Sequence, residues 1–229
     1  MSMTRFPNGL STRKSTDPFG AYTHPDETDQ HLYRDDFNGY TAGDWTITVV
    51  GTSTPALVAG DGGLLAIATS ATSGDSAFLQ KTIASFDFET GKPAWFGCRF
   101  KVSTLATTAV IGLQVIDTTP LSVTDGIYFL TTTATGAITG IVRKNATTGS
   151  SSVAVGTLVA DAYAELAWYW DGKDTVNFYQ DRVLKGSVTG VAASFLPDTT
   201  TTVSFGIQTD SANARTMTVD YFLASKSRR

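Results

Sequence analysis

Leu166-Ala167-Trp168-Tyr169-Trp170-Asp171-Gly172-Lys173-Asp174-Thr175-Val176-Asn177-Phe178-Tyr179 is the stretch whose reading decides the fold. Leu166, Trp168 and Trp170 alternate on one face, Asp171 to Asp174 reverse the chain, and Val176 and Phe178 resume the alternation on the return. Residues two apart on a strand share a face, so these positions form an antiparallel hairpin with one apolar side. A second tight reversal follows at Gln180-Asp181. Further out, Phe96, Cys98, Phe100 and Val102 keep the same period, as do Val203, Phe205 and Ile207, and then Met217, Val219, Tyr221 and Leu223. No segment holds a helical period for three turns, so helix should be scarce.

The pattern predicts strands over 33–37, 45–50, 64–68, 77–81, 94–102, 110–116, 127–130, 138–143, 152–155, 164–170, 175–179, 182–188, 202–208 and 216–223. That many strands exceed what one twisted open sheet usually holds, and two packed antiparallel sheets are the economical solution. The expected fold is therefore all-β, an antiparallel two-sheet β-sandwich of jelly-roll type. The threonine patches at Thr131 to Thr133, Thr147-Thr148 and Thr199 to Thr202 are expected in loops or on outward strand faces. Cys98, the single cysteine, falls in an alternating apolar run and reads as core.

Residues 1–31 read differently, as an extended N-terminal arm preceding a domain of residues 32–229. Pro7, Asn8-Gly9, Asp17-Pro18, Gly20 and His24-Pro25 break the chain too often for either period to be established. Its apolar residues are too few to offset the entropy of ordering it, so the arm needs a partner surface. Fully extended it would reach about 100 Å, from one subunit to another. Arg5, Phe6, Arg13, Lys14, Phe19 and Tyr22 are its candidate anchors.

Charged residues make up 17% of the chain and the net charge is -4, which gives nucleic acid no clustered basic surface to meet. The terminal Lys226, Arg228 and Arg229 read as a solubilising end. No apolar run approaches the length of a membrane span, and the amino terminus carries no secretory signal pattern, so a cytoplasmic origin and no membrane partner are expected.

Histidine occurs only at His24 and His31, neither with a partner at motif spacing, and no phosphate loop or nucleophile elbow is present. No cofactor or metal is expected. Sugar hydrolysis on a sandwich would need two facing carboxylates, and the nearest pattern, Asp87-Phe88-Glu89 beside Gly91 and Pro93, reads as a solvated turn. Asp35-Asp36 and Asp117 likewise suit turns at strand ends. Trp95, by contrast, alternates opposite to Phe96, Cys98 and Phe100, on the same face as Arg99 and Lys101. An outward tryptophan beside cations suits a sugar or a protein interface, and Tyr169 holds the equivalent place between Trp168 and Trp170.

Arg5-Phe6-Pro7-Asn8-Gly9 followed by Asp36-Phe37-Asn38-Gly39-Tyr40-Thr41-Ala42-Gly43-Asp44-Trp45-Thr46-Ile47-Thr48 resembles a family of tailed-bacteriophage virion structural proteins. The resemblance continues through Gly91 to Phe96, Ile111 to Pro120, Asp171 to Asp174 and Val203 to Gln208. It implies a concanavalin/lectin-like jelly-roll domain and a non-enzymatic capsid cement or decoration protein on the capsid exterior. Its arm would staple the major capsid protein, with a homo-oligomer, a trimer by preference, multiplying the arms. The alternative is a carbohydrate-binding host-adsorption module of a head fibre or tail, which would use Trp95 and Arg99 on a surface glycan.

Overall fold

A computed structural model describes residues 29–146 and 152–228. The anchors Arg5, Phe6, Arg13, Lys14, Phe19 and Tyr22, and with them His24, lie outside the described residues. In chain order the strands are β1 (Gln30–Asp35), β2 (Trp45–Val50), β3 (Ala56–Val58), β4 (Leu64–Ala68), β5 (Ser76–Lys81), β6 (Ala94–Val102), β7 (Thr107–Gln114) and β8 (Gly126–Thr131). They continue as β9 (Ala137–Arg143), β10 (Ser152–Thr157), β11 (Ala164–Trp170), β12 (Val176–Gln180), β13 (Val183–Val188), β14 (Thr202–Thr209) and β15 (Thr216–Ser227). The one α-helical element among the described residues is a single turn, α1 (Val191–Ser194).

Two antiparallel sheets form the sandwich. One has the order β13-β12-β11-β6-β15-β4-β3, with β1 also on β15, and the other runs β10-β9-β8-β7-β14-β5-β2. The 12-residue β15 organises the first sheet. One of its edges pairs with β6, while the other is shared between β4, along residues 216–219, and β1, along 222–227. The expected basic end is thus corrected. Lys226 is the strand partner of Ala94 and binds Glu89 at 3.2 Å, and Arg228 donates through Nε to the Gln30 carbonyl at 3.0 Å. Backbone pairing with β1 and β6 draws these residues into the sheet.

The alternation expected in the central hairpin holds. Leu166, Trp168, Trp170, Val176 and Phe178 face inward and are fully buried, together with Phe96, Cys98 and Phe100 of β6. Burial pushes the Cys98 thiol far above its ordinary pKa, so it stays protonated and inert. The opposing face contributes Ile111, Leu113, Phe129, Phe205, Ile207 and Leu79. At one end Phe37, Trp45, Phe205 and Phe222 interlock edge to face, with centroids 5.2 to 6.1 Å apart.

Thr132 and Thr199 are exposed loop residues as expected, and Thr147-Thr148 lie outside the described residues, but three other threonines of the patches depart from expectation. Thr131, Thr201 and Thr202 are buried, with their hydroxyls bonded to backbone groups. Thr131 accepts from the Ala109 amide, while Thr201 and Thr202 donate to the carbonyls of Phe86 and Ile83.

The hairpin turn is held by Asp171, whose Oδ1 accepts the amides of Lys173, Asp174 and Thr175 at 2.8, 3.0 and 3.1 Å. Burial works against the charged carboxylate, but the three amides prevail and hold its pKa below the ordinary value. Asp171→Ala should cost about 1 to 2 kcal/mol at neutral pH, read from urea unfolding midpoints. A depressed carboxylate stabilises above its unfolded pKa and loses that contribution as pH falls through the folded one. The gap between wild type and variant should therefore close in acid.

Candidate functional site

The outer face of the first sheet collects the aromatic and charged residues that the inner face excludes. Antiparallel register sets them in rows across β11, β6 and β15: Tyr169, Trp95 and Ser225 in one, then Ala167, Gly97 and Leu223, then Glu165, Arg99 and Tyr221. Trp95 is half-buried and Tyr169 is 36% exposed. The indole lies along the sheet, over Gly97. A Cβ built on Gly97 would stand 3.0 Å from Trp95 Cη2 and 3.1 Å from Cζ2. The absence of a side chain there, between Ala167 and Leu223, leaves the shallow bed in which the ring rests. Gly97→Val should lift the indole out of that bed, a change visible as an altered Trp95 side-chain resonance in a domain that still unfolds cooperatively.

Ion pairs continue the face beyond the aromatic row. Arg99 pairs with Asp220, and its guanidinium lies 4.0 Å from the Tyr163 ring centroid. Arg182 Nε donates to both carboxylate oxygens of Glu165, at 3.0 and 3.2 Å, and Lys101 meets Asp161 at 3.4 Å. Every cation named here has a carboxylate, so the face is locally neutral. Burial, then the nearby Glu165, pushes the Tyr221 phenol up to about 12, and burial followed by Asp171 raises that of Tyr169. Both phenols stay protonated at neutral and mildly alkaline pH and can donate and accept hydrogen bonds together.

Trp95 and Arg99, both singled out in the sequence, are thus brought onto one surface, with Tyr169 as Trp95's cross-strand partner. Glu165 and Tyr163 were not singled out, although the alternation of β11 places them on Tyr169's face. Asp220 had no such signal, because the register of β15 against β6 shifts between Val219 and Tyr221 and breaks the period of two there. Glu89 is elsewhere. It is exposed in a turn, bound to Lys92 at 2.8 Å and Lys226 at 3.2 Å, and those two ammonium groups hold its carboxyl below the usual range. Asp35 and Asp117 cap turns as expected, accepting the amides of Phe37 at 2.9 Å and Thr119 at 2.7 Å. Among the described residues no group of three or more His, Cys, Asp or Glu side chains is arranged to hold a metal ion.

No protein-family model matches the chain, and no curated protein sequence does. Solved structures do resemble it. A β-glucanase of Bacillus licheniformis superposes with a TM-score of 0.61 at 14% identity, covering 86% of this chain and 98% of the enzyme. The apo Crh5 transglycosylase gives 0.58 at 18% identity, covering 84% and 83% of the two chains. The carbohydrate recognition domain of Emp47p gives 0.59 at 10% identity, covering 88% and 98%. At these identities the likeness is one of fold, and it establishes the two-sheet jelly-roll sandwich. The expectation of a chain that is no enzyme is corrected by the same neighbours. A glucanase and a transglycosylase share this fold.

Two carboxylates do share the outer face. Glu165 and Asp220 stand on the strands either side of β6, separated by two strand spacings, about 10 Å of backbone.

Proposed function

We propose that this β-sandwich binds carbohydrate on the outer face of its first sheet, as a host-adsorption module of a tailed-phage particle. The observation that carries the binding reading is the half-buried Trp95 indole lying against Gly97 beside the exposed Tyr169. An aromatic ring offers its π face to the C–H groups of a pyranose, and the hydroxyls of Tyr169 and Tyr221 meet the sugar's own. The charges alongside are already matched by protein partners, which favours a neutral polysaccharide over an acidic one. The fold neighbours that bind or process carbohydrate support the same reading.

Affinity electrophoresis against neutral glucans, mannans and galactans tests it, with new reducing ends measured in the same samples. Wild type should be retarded by at least one polymer and Trp95→Ala by none. Turnover abolished by Glu165→Gln, with retardation preserved, would add hydrolysis to binding at this face. Binding should not change between neutral and mildly alkaline pH, because the Tyr169 and Tyr221 phenols keep their protons throughout. A fall in retardation over that range would remove the tyrosines from the contact.

The phage setting is supported by the sequence resemblance, which includes Arg5 to Gly9 of the arm. That stretch also favours the second reading, in which the arm cements the major capsid protein lattice from outside and a trimer multiplies the contact. Gln30 and His31, expected in the arm, instead open β1, so the truncation spares them. Particles reconstituted with a chain lacking residues 1–28 separate the two: cementing predicts lost occupancy, while the glycan face predicts unaltered polysaccharide binding by the truncated chain.

A further inference from the structure

A second concave site lies at the rim between the sheets, on the opposite side of β15 from Trp95. Tyr33 of β1 faces inward like its strand partner Ala224, and its ring stacks on Phe222 at 5.7 Å. Next to it is a cavity of about 260 Å³ walled by Tyr33, Asp44, Lys81, Ile83, Ser85 and Phe86. These walls come from β1, the turn before β2, the end of β5 and the segment after it. Their own hydrogen bonds hold them. The Thr82 amide donates to the Asp44 carbonyl at 3.1 Å, Thr202 Oγ1 donates to the Ile83 carbonyl at 3.0 Å, and His31 Nε2 lies 3.3 Å from Ser85 Oγ.

Lys81 is the centre of the site. Its Nζ is 3.3 Å from Asp44 Oδ2, 4.8 Å from the Trp45 ring centroid and 5.4 Å from that of Tyr33, and its side chain is only 21% exposed. Its ammonium donates to Asp44 and lies over the Trp45 and Tyr33 rings. Ile83, 74% exposed, forms an apolar lip at the mouth beside Phe86.

We propose that this pocket binds a single neutral pyranose unit. An anionic ligand drawn to Lys81 meets the Asp44 carboxylate, and a cationic one drawn to Asp44 meets the Lys81 ammonium. A hydroxyl both donates and accepts, so neighbouring sugar hydroxyls satisfy Asp44 and Lys81 together without disturbing their charge balance. The C–H face of the ring then lies against the exposed Ile83. The volume is of the size of one sugar ring. This site does not depend on the Trp95 face, and a branched polysaccharide reaching both would gain affinity from the two together.

The test is an amide chemical-shift titration of the whole chain with the methyl glycosides of glucose, mannose, galactose and N-acetylglucosamine. At least one should shift the amides of residues 81–86 saturably. Asp44→Asn and Lys81→Met should each weaken that binding about tenfold or more, whereas Trp95→Ala should leave it unchanged. A matched thermal unfolding scan identifies a variant that is merely misfolded, and Asp44→Asn, largely exposed, serves if Lys81→Met fails. Silence at residues 81–86 with all four glycosides overturns the proposal. So does saturable binding that both variants retain, or a stronger response there to free alanine, the zwitterion that would split the ion pair. Loss of this response with the Trp95 response intact, or the reverse, tells which site is at fault.

Discussion

Phe222→Ala should destabilise the domain by about 4 kcal/mol, the largest loss expected from any single truncation considered for this chain. Phe222 is fully buried on β15, and its ring meets those of Tyr33, Phe37, Trp45 and Phe205 at 5.3 to 6.1 Å. Those partners come from β1, the link into β2, β2 itself and β14, so one ring joins both sheets and the strand that follows the arm. Removing it leaves a cavity walled by rigid rings that cannot collapse into the space, which puts the cost toward the upper part of the range for aromatic truncation. Urea unfolding should show a lower midpoint with an unaltered slope. A loss under about 1 kcal/mol would mean that this cluster is not packed as described.

Trp95→Ala should abolish most carbohydrate binding while leaving stability nearly untouched. The indole supplies the largest flat apolar surface on the outer face, and centrally placed aromatic anchors of this kind cost about 2 kcal/mol or more when truncated, roughly thirtyfold in affinity. Its ring rests on Gly97 and does not enter the core, so the stability change should stay within about 1 kcal/mol. Gly97→Val provides an independent check, since it keeps the indole but moves it. Equal losses in the two variants would tie affinity to the position of the ring. An unaffected Gly97→Val would separate binding from the flat geometry.

The sandwich was legible because inner and outer residues alternate in strands such as β6, β9 and β11. β2, β4, β6 and β11 occupy the residues expected from that alternation. β3 escaped notice because Ala56–Val58 is a three-residue edge strand with all three residues exposed, too short to display a period. β7 begins at Thr107, before its apolar run, and ends at Gln114 although the run continues to Ile116. Beyond Gln114 the buried Gln80 side chain captures the chain, donating to the Val115 carbonyl and accepting the Asp117 amide, each at 3.0 Å. A side chain 35 residues away carries no local signal for that ending. The rim pocket was hidden for the same reason, since Tyr33, Asp44, Lys81 and Ile83 meet only through the topology. Trp95 was legible because alternation alone turns it outward, whereas the ion pair of Arg99 with Asp220 depends on a register shift in a strand more than a hundred residues later.

The central claim is that a carbohydrate lies on Trp95. The most direct measurement is the indole Nε1–H resonance of each tryptophan followed by NMR during titration with an oligosaccharide fragment of the retarding polymer. The Trp95 indole should shift saturably together with the Tyr169 ring, while the buried indoles of Trp168 and Trp170 stay in place. An unmoved Trp95 at saturation, or no saturable response to any fragment, would contradict the account.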